Sequence, residues 1–281
     1  MKREENQKYW VLVLGASSGF GAASAIKLAE DGYNVFGIHL DRQITMPNVE
    51  KIIEKIKSYG SQAMFYNVNA ADAVKRDEII KEIKEFSNGE AIVKILIHSL
   101  AFGSLKPFVT VTDEQPITKA QMEMTLDVMA HSLVYWTQSL VVNNLFARKG
   151  RIFAMTSSGG HSAIPFYGAV SAAKAALESH IRQLSMELGH LDIAANAIMA
   201  GVTDTPALRK IPGNIPMIEV AKRKNPRNRL TTPEDVAKVI ALLCQEGGEW
   251  ISGGLIHADG GEDVISFVGQ GDLEKKSIIK I

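Results

Sequence analysis

The stretch "VLVLGASSGFGAASAIKLA", residues 11–29, decides the fold of this 281-residue chain. A run of apolar, β-branched residues ends at Gly15, and a segment with helical periodicity follows it. Gly15, Gly19 and Gly21 lie between the two, where glycine permits positive φ and lets the backbone approach a pyrophosphate at a helix N-terminus. The stretch therefore predicts the first βαβ unit of a dinucleotide-binding sheet. A tight turn without a ligand is the alternative.

Strand-like runs alternate with longer segments of helical periodicity along the rest of the chain. Strands are predicted at 9–15, 33–40, 61–68, 91–99, 150–158, 192–201 and 254–261. Helices are predicted at 21–32, 48–60, 73–86, 117–147, 166–188 and 232–245. This alternation is typical of a parallel sheet with helices on both faces. We therefore predict an α/β fold, a single-domain Rossmann-type doubly wound parallel sheet spanning residues 1–281.

Composition excludes several classes of function. The chain has 31 basic and 31 acidic residues, so no global charge favours nucleic acid. No apolar run approaches the ~20 residues of a membrane helix, and the charged start "MKREENQKYW" has no signal-peptide core. Cys244 is the only cysteine, and the seven histidines lack metal-ligand spacing. We expect a cytoplasmic protein without a metal site and without a nucleic-acid or membrane partner.

The segment "YGAVSAAK", residues 167–174, carries a tyrosine and a lysine with six residues between them. On a helix of ~100° per residue, positions seven apart differ by about 20° in direction, so Tyr167 and Lys174 share one face. A tyrosine four positions before a lysine also shares its face, but it would lie about 4.5 Å closer to that lysine along the helix axis. The two residues are candidates for catalysis. A tyrosine packed beside Pro165 and a surface lysine are the alternatives.

Over nearly its whole length the chain resembles the short-chain dehydrogenases/reductases, and within them the enoyl-acyl-carrier-protein reductases. The motifs that carry the resemblance are "GASSGFG", "IHSLAFG", "AIPFY", "NAIMAGVTDTPAL" and "ADGG". The ordinary family pattern places tyrosine four positions before the lysine, where this chain has Val170. The hydroxyl must therefore come from Tyr167, or the site is inactive. The family's helix asparagine is replaced near Met129 or Ala130.

The resemblance implies a catalytic role for three residues. Tyr167 would donate to the thioester oxygen and stabilise an enolate, and Lys174 would hold the nicotinamide ribose and favour tyrosinate character. Ser157 aligns with the family's serine. In ketone reduction the tyrosine protonates the oxygen on the carbon that receives hydride, whereas in enoyl reduction the thioester oxygen lies further off, beyond the α-carbon. The longer spacing suits the second reaction.

The same resemblance implies a nicotinamide dinucleotide along the carboxyl ends of the strands. The predicted contacts are Gly15, Ser17, Ser18, Gly19, Phe20, Gly21, His39, Arg42, Asn67, Val68, Ser99, Leu100, Ala101, Lys174, Val202, Thr203 and Thr205. His39 fills the usual acidic position and, with Arg42, could accept a 2′-phosphate, whereas Asp41 would oppose it if it points inward. The sequence thus favours NADPH over NADH.

These features predict NAD(P)H-dependent reduction of the 2,3 double bond of an enoyl thioester, in fatty-acid or related acyl-chain synthesis. One alternative is a carbonyl (3-ketoacyl) or dienoyl-thioester reductase of the same superfamily. The other is a non-catalytic nucleotide-sensing protein on the same fold.

The resemblance makes residues 204–230 a mobile lid over the acyl chain. Its apolar residues that would line an acyl pocket are Leu208, Ile211, Ile215, Met217 and Ile218. Residues 205–230 contain seven basic residues and one acidic residue, Glu219. Such a rim would steer an acidic acyl carrier protein. Coenzyme A, which is also anionic, and a solvated loop without a partner are the alternatives.

Two further expectations concern assembly. The predicted helices 117–147 and 166–188 carry more apolar residues than one sheet-facing side needs, which together with the resemblance predicts a homotetramer. The polar tail 268–281 is expected to be flexible or to lie on a neighbouring subunit.

Overall fold

Five apolar residues in succession, Trp10–Leu14, form the first strand of the sheet, and all five are buried. A strand that is apolar on both faces needs cover on both faces, so it belongs at the centre of a parallel sheet. The structure is a computed structural model that describes residues 3–111 and 115–265. In it this strand lies third from one edge of a seven-stranded sheet.

The strands are β1 Trp10–Leu14, β2 Asn34–His39, β3 Ala63–Asn67, β4 Val93–His98, β5 Phe146–Thr156, β6 Ala194–Ala200 and β7 Leu255–Ala258. Their order is β3-β2-β1-β4-β5-β6-β7, and every pairing is parallel. Each predicted strand corresponds to one of these, and the predicted fold class is confirmed.

Helices cover both faces of the sheet. They are α1 Arg3–Asn6, α2 Gly19–Glu30, α3 Met46–Ser58, α4 Ala73–Phe86, α5 Lys119–Leu126, α6 Ser132–Val142, α7 Gly168–Leu188, α8 Asn214–Lys224 and α9 Pro233–Leu243. One buried cluster joins α4, α6 and α7 to the sheet, and a second joins α2, α3 and α9 to the opposite face. The core therefore consists of two apolar layers that enclose the strands.

The helix predicted over 117–147 is shorter and less regular than the sequence suggests. It ends at Val142, and β5 begins at Phe146. Asn144, between them, has φ 56°, a left-handed conformation that stops the helix. A π-helical turn, Asp127–His131, also separates α5 from α6. Such bulges are frequent at functional sites.

The sheet reverses its order between β1 and β4, because the chain first adds strands on one side of β1 and then on the other. Ligands of open α/β sheets bind at the carboxyl ends of the strands at such a reversal. The topology therefore places the site above Leu14 and His98. The tail predicted at 268–281 lies outside the described residues.

Candidate active site

A cavity of about 250 Å³ opens at the carboxyl ends of the central strands. The predicted site residues that line it are Phe20, Ser99, Leu100, Ala101, Ser157, Tyr167, Lys174, Val202, Thr203 and Thr205. Further lining residues, which the sequence analysis did not assign to the site, include Phe102, Leu105, Met155, Gly159 and Lys210. The cavity is thus mainly apolar, with a few polar groups converging on it, as is typical of small-molecule sites.

The glycine-rich turn lies at the edge of this cavity, between β1 and α2. Gly15 has φ +92°, a backbone conformation that residues with a side chain rarely adopt. A Cβ at Gly21 would collide with the carbonyl group of Gly15. The side chain of Ser18, the N-cap of α2, makes no capping hydrogen bond. The N–H groups of the first helical turn are therefore left for an anion. Together with Ser17 and Gly19, the turn fits a pyrophosphate.

The end of β2 differs from the expectation that His39 accepts a 2′-phosphate. His39 is only 4% exposed, and its Nδ1 lies 3.0 Å from Oδ2 of Asp41. Asp41 points inward. Burial acts to raise the pKa of its carboxyl group, but hydrogen bonds from Ser17, Thr45 and His39 hold that pKa below its ordinary value. A carboxylate thus contacts the phosphate-binding turn, while Arg42 is exposed.

Asn67 holds the loop that contains Asp41. Its Oδ1 accepts from the backbone N–H of Asp41 at 2.9 Å, and its Nδ2 donates to the Asp41 carbonyl at 2.9 Å. The N–H of Val68 donates to the carbonyl of His39 at 2.8 Å. Both residues predicted to flank an adenine thus border the loop after β2.

Tyr167 stands at the N-cap of α7, so the helix predicted from residue 166 begins at Gly168. Phe166 has φ 63°, a left-handed conformation outside the helix. The Tyr167 hydroxyl lies 3.4 Å from Oγ of Ser157. Burial raises the pKa of the phenol, and the contact with Ser157 offsets part of this rise. Tyr167 is therefore a neutral hydrogen-bond donor at neutral pH.

Two glycines make room for this arrangement. A Cβ at Gly159 would lie 2.5 Å from Cε1 of Tyr167, so the tyrosine ring occupies the space of a missing side chain. A Cβ at Gly103 would lie 2.9 Å from Cγ2 of Val170 and 2.9 Å from Sδ of Met129. Val170, at the family's ordinary tyrosine position, is buried. With Met129 from the π-helical turn, it gives the cavity an apolar wall.

Lys174 is 5% exposed, and its Nζ donates to the carbonyl oxygen of Met155 at 2.6 Å. Burial lowers the pKa of this ammonium group to about 8, although Glu178, one turn further along α7, acts in the opposite direction. Burial dominates the pKa of Tyr167, so the expected effect of Lys174 on the tyrosine stays a prediction. In this structure the lysine is held by the strand.

His98 lies at the end of β4 and was not assigned a role from the sequence. It is fully buried, and its Nε2 is 2.9 Å from Oγ of Ser132. Burial and the positive charge of Lys174 lower its pKa to about 3. His98 is therefore neutral, and it joins the start of α6 to the strand that carries the cavity floor. Its place in the quoted motif "IHSLAFG" is the signal that could have revealed it.

The segment predicted as a lid contains a short 3₁₀ turn, Leu208–Lys210, and helix α8. Leu208, Ile211 and Met217 line the cavity, as does Lys210. Ile215 is 73% exposed, and Ile218 is absent from the lining residues. Three of the five predicted acyl contacts therefore face the cavity.

The basic rim of this segment is weaker than the sequence count suggests, because three of its cations have carboxylate partners. The ion pairs are Arg209–Asp204 at 2.8 Å, Lys222–Glu219 at 3.2 Å and Arg229–Asp235. Asp204 and Asp235 lie just outside residues 205–230 and were not counted. Exposed ion pairs add little stability, but they remove charge from the surface. Arg223 and Arg227 are exposed and form no ion pair among the described residues.

The described residues contain no group of three or more His, Cys, Asp or Glu that could hold a metal ion. No described helix is long and apolar enough to cross a membrane. Cys244 is buried, and burial raises the pKa of its thiol to about 12.

Comparison with known proteins gives three informative similarities. A family profile described as Enoyl-(Acyl carrier protein) reductase matches residues 15–262. The chain is 28% identical to the enoyl-[acyl-carrier-protein] reductase [NADH] FabI of Aquifex aeolicus, over 86% of this chain and 87% of that protein. It is 27% identical to the versicolorin reductase stcU of Emericella nidulans, over 89% of this chain and 94% of that protein.

A solved structure has the same fold. The crystal structure of enoyl-[acyl-carrier-protein] reductase (NADH) from Aquifex aeolicus VF5 superposes with a TM-score of 0.80 at 24% identity. The alignment covers 94% of this chain and 99% of that one.

The packing of Tyr167 against Gly159 yields a testable prediction. Gly159→Ala should displace the phenol and slow catalytic turnover about 10²-fold, because small misplacements of a reacting group cost about this much. Gly189→Ala is the matched control, since a Cβ there meets nothing within 4 Å. A lower steady-state rate in Gly159→Ala than in Gly189→Ala, with equal melting temperatures of the two variants, would support the packing. An unchanged rate in Gly159→Ala would contradict it.

Proposed function

The chain belongs to the short-chain dehydrogenase/reductase family described as Enoyl-(Acyl carrier protein) reductase, and we propose that it reduces the 2,3 double bond of an enoyl thioester. Family membership makes it an oxidoreductase. The observation that carries the finer proposal is the position of Tyr167, whose hydroxyl meets Ser157 at 3.4 Å while Val170 fills the ordinary tyrosine position. The hydroxyl donor is therefore at the N-cap of α7, and the ordinary tyrosine position is part of the apolar cavity lining.

The residues present fit a nicotinamide dinucleotide. The turn Gly15–Gly21 would hold the pyrophosphate on the first turn of α2. Ser99, Leu100 and Ala101 would border the ribose, and Val202, Thr203 and Thr205 the carboxamide. When bound, this group supplies the hydride for the reaction.

The residues that line the cavity would then have distinct roles in the reaction. Hydride addition to the β-carbon moves the π electrons toward the thioester carbonyl, so negative charge develops on its oxygen. The neutral phenol of Tyr167 would donate to that oxygen in a site shielded from water. A solvent proton would complete the reaction at the α-carbon. Lys174 would orient the ribose, and Val170 with Met129 would exclude water from the acyl side.

Two rival functions remain, and the carbonyl reductase has specific support. The versicolorin reductase relative and the Ser157–Tyr167 contact suit reduction of a carbonyl group, in which the serine hydroxyl would also bind the substrate oxygen. A nucleotide-sensing protein would need only the phosphate-binding turn. Tyr167 and Lys174 both line the cavity, and a sensor would not need this catalytic pair.

Substrate comparison tests the proposal directly. With a crotonyl thioester, Tyr167→Phe should lower kcat by ~10²–10³-fold, the usual loss for one oxyanion donor, with little change in cofactor affinity. Tyr135→Phe, in which the altered tyrosine is 38% exposed on α6, is the control. The wild-type protein should prefer the crotonyl over the acetoacetyl thioester. The opposite preference would establish the carbonyl reductase, and cofactor binding without turnover of either would establish the sensor.

The inward carboxylate of Asp41 supports a cofactor preference opposite to the one that the sequence favours. A 2′-phosphate would have to approach this carboxylate, whereas a ribose 2′-hydroxyl could donate to it. We therefore propose NADH as the preferred cofactor, as in the name of the Aquifex relative.

Two substitutions test this choice. Asp41→Ser should shift the kcat/KM ratio toward NADPH by about tenfold or more, because a like-charge contact is removed. Arg42→Ser should leave NADH use unchanged. A wild-type protein that prefers NADPH, with Arg42→Ser losing that preference, would restore the NADPH assignment.

We propose an acyl carrier protein as the carrier, in fatty-acid or related acyl-chain synthesis, because unpaired cations remain on the lid. The double variant Arg223→Glu/Arg227→Glu should raise KM for a carrier-linked substrate and leave a short uncharged thioester unaffected. The effect should shrink at high salt, as screening shortens to a few Å. Lys51→Glu/Lys57→Glu on α3 is the charge-matched control. If the double variant has the same KM as the wild-type protein for the carrier-linked substrate, carrier docking on these arginines is contradicted.

The homotetramer and the cytoplasmic location stay predictions. Exposed apolar side chains on the described helices, such as Val142 on α6 and Met186 on α7, support an assembly. Light scattering would decide it, and a stable monomer would exclude it.

A further inference from the structure

A second cavity, of about 200 Å³, lies at the opposite end of the sheet from the candidate active site. Lys94 lies at the start of β4 and Tyr33 directly before β2, so the cavity is at the amino ends of the strands. Cys244 and Glu249, which follow α9, close its other side. None of these residues takes part in the proposed reduction.

Positive charge converges on this cavity. Lys94, Lys149 and Arg151 line it. The ammonium group of Lys94 lies 4.8 Å from the centre of the Tyr9 ring, and that of Lys8 lies 5.0 Å from the same ring. Four cations thus gather near a half-buried space.

The carboxylates nearby compensate only one of these cations. Arg151 pairs with Glu249 at 3.0 Å. Glu246 also lines the cavity but forms no ion pair among the described residues, and neither do Lys94 and Lys149. Burial and the charges of Arg151, Lys149 and Lys8 lower the pKa of Lys94 to about 8. The chain therefore bears an unfavourable concentration of like charge here.

Besides its three cations and the two carboxylates Glu246 and Glu249, the cavity is lined by the Tyr33 phenol, the Cys244 thiol and Gln245. Burial raises the pKa of the Tyr33 phenol and of the Cys244 thiol, so both stay protonated at neutral pH. Arg151 uses its Nε and Nη1 on the carbonyls of Leu243, Lys149 and Gly150, which holds the guanidinium in place. A rigid, donor-rich, positively charged space is complementary to an oxyanion.

We propose that this cavity binds a small multivalent oxyanion of the phosphate type, held by Lys94, Lys149 and Arg151. Its volume is below the ~300–1,000 Å³ of sites for drug-sized ligands, so it suits an inorganic phosphate or the phosphoryl end of a small phosphate ester. The site is separate from the phosphate-binding turn and does not depend on the proposed reduction.

Calorimetric titration of the full chain with inorganic phosphate, at constant ionic strength and with NADH saturating, tests this proposal. The added NADH occupies the glycine-rich turn, so that turn does not contribute to the signal. We expect saturable binding that weakens about tenfold or more in Lys94→Gln and in Lys149→Gln, because each loses one charge-assisted contact. Lys51→Gln, at an exposed position on α3, should bind like the wild-type protein.

Three results would overturn the proposal. They are absence of saturable binding, binding that both variants retain, and equal weakening in Lys51→Gln, which would indicate a general charge effect. Lys149 is exposed, so Lys149→Gln remains informative if Lys94→Gln fails to fold. A parallel titration with glycerol 3-phosphate distinguishes the two sources: tighter binding than phosphate indicates an ester, and weaker binding indicates the free ion.

Discussion

Lys174 is a nearly buried lysine whose ammonium group donates to the carbonyl oxygen of Met155 at 2.6 Å. The two residues after Met155 also contact α7 or its N-cap: Thr156 donates to Glu178 at 2.6 Å, and Oγ of Ser157 lies 3.4 Å from the hydroxyl of Tyr167. Three consecutive positions at the end of β5 therefore hold three positions of α7. A buried charge left without its partner costs several kcal/mol, so the helix cannot slide or rotate without losing this contact. The positions of the phenol and the ammonium group both depend on it.

The displaced tyrosine requires a particular backbone. Phe166 adopts a left-handed conformation, which costs of order 1–3 kcal/mol for a bulky residue. That conformation turns the chain into α7 so that Tyr167 packs on Gly159, and Val170 is free to fill the space beside Gly103. The hydroxyl and the apolar wall are therefore consequences of one rearrangement. Both features suit the proposed enoyl thioester, whose acyl chain would contact the wall and whose enolate oxygen would meet the displaced donor.

The sequence predicted those features whose signals are local. The all-apolar run of β1 and the glycine turn after it both occur within 20 residues or so, and pattern arguments work well at that range. The direction of the Asp41 carboxylate could not be predicted, because its loop is held by Asn67, 26 residues away, and the carboxylate itself bonds to Ser17 on the glycine-rich turn. The pairing of Arg209 and Arg229 was missed because their partners lie beyond the chosen segment. The early end of the helix before β5 had a local signal in Asn144, since asparagine tolerates left-handed φ.

The two ends of the sheet handle buried charge in different ways. At the carboxyl end, Lys174 has one carbonyl partner and Glu178 nearby, so its charge is balanced within the chain. At the amino end, Arg151 has one carboxylate partner and three carbonyls, and Lys94 donates to the carbonyl of Arg148. Carbonyl dipoles satisfy hydrogen bonds, but they do not cancel a full charge. Two carboxylates, Glu246 and Glu249, face three cations in this cavity, so the amino end keeps a positive potential that an anion from solution would balance.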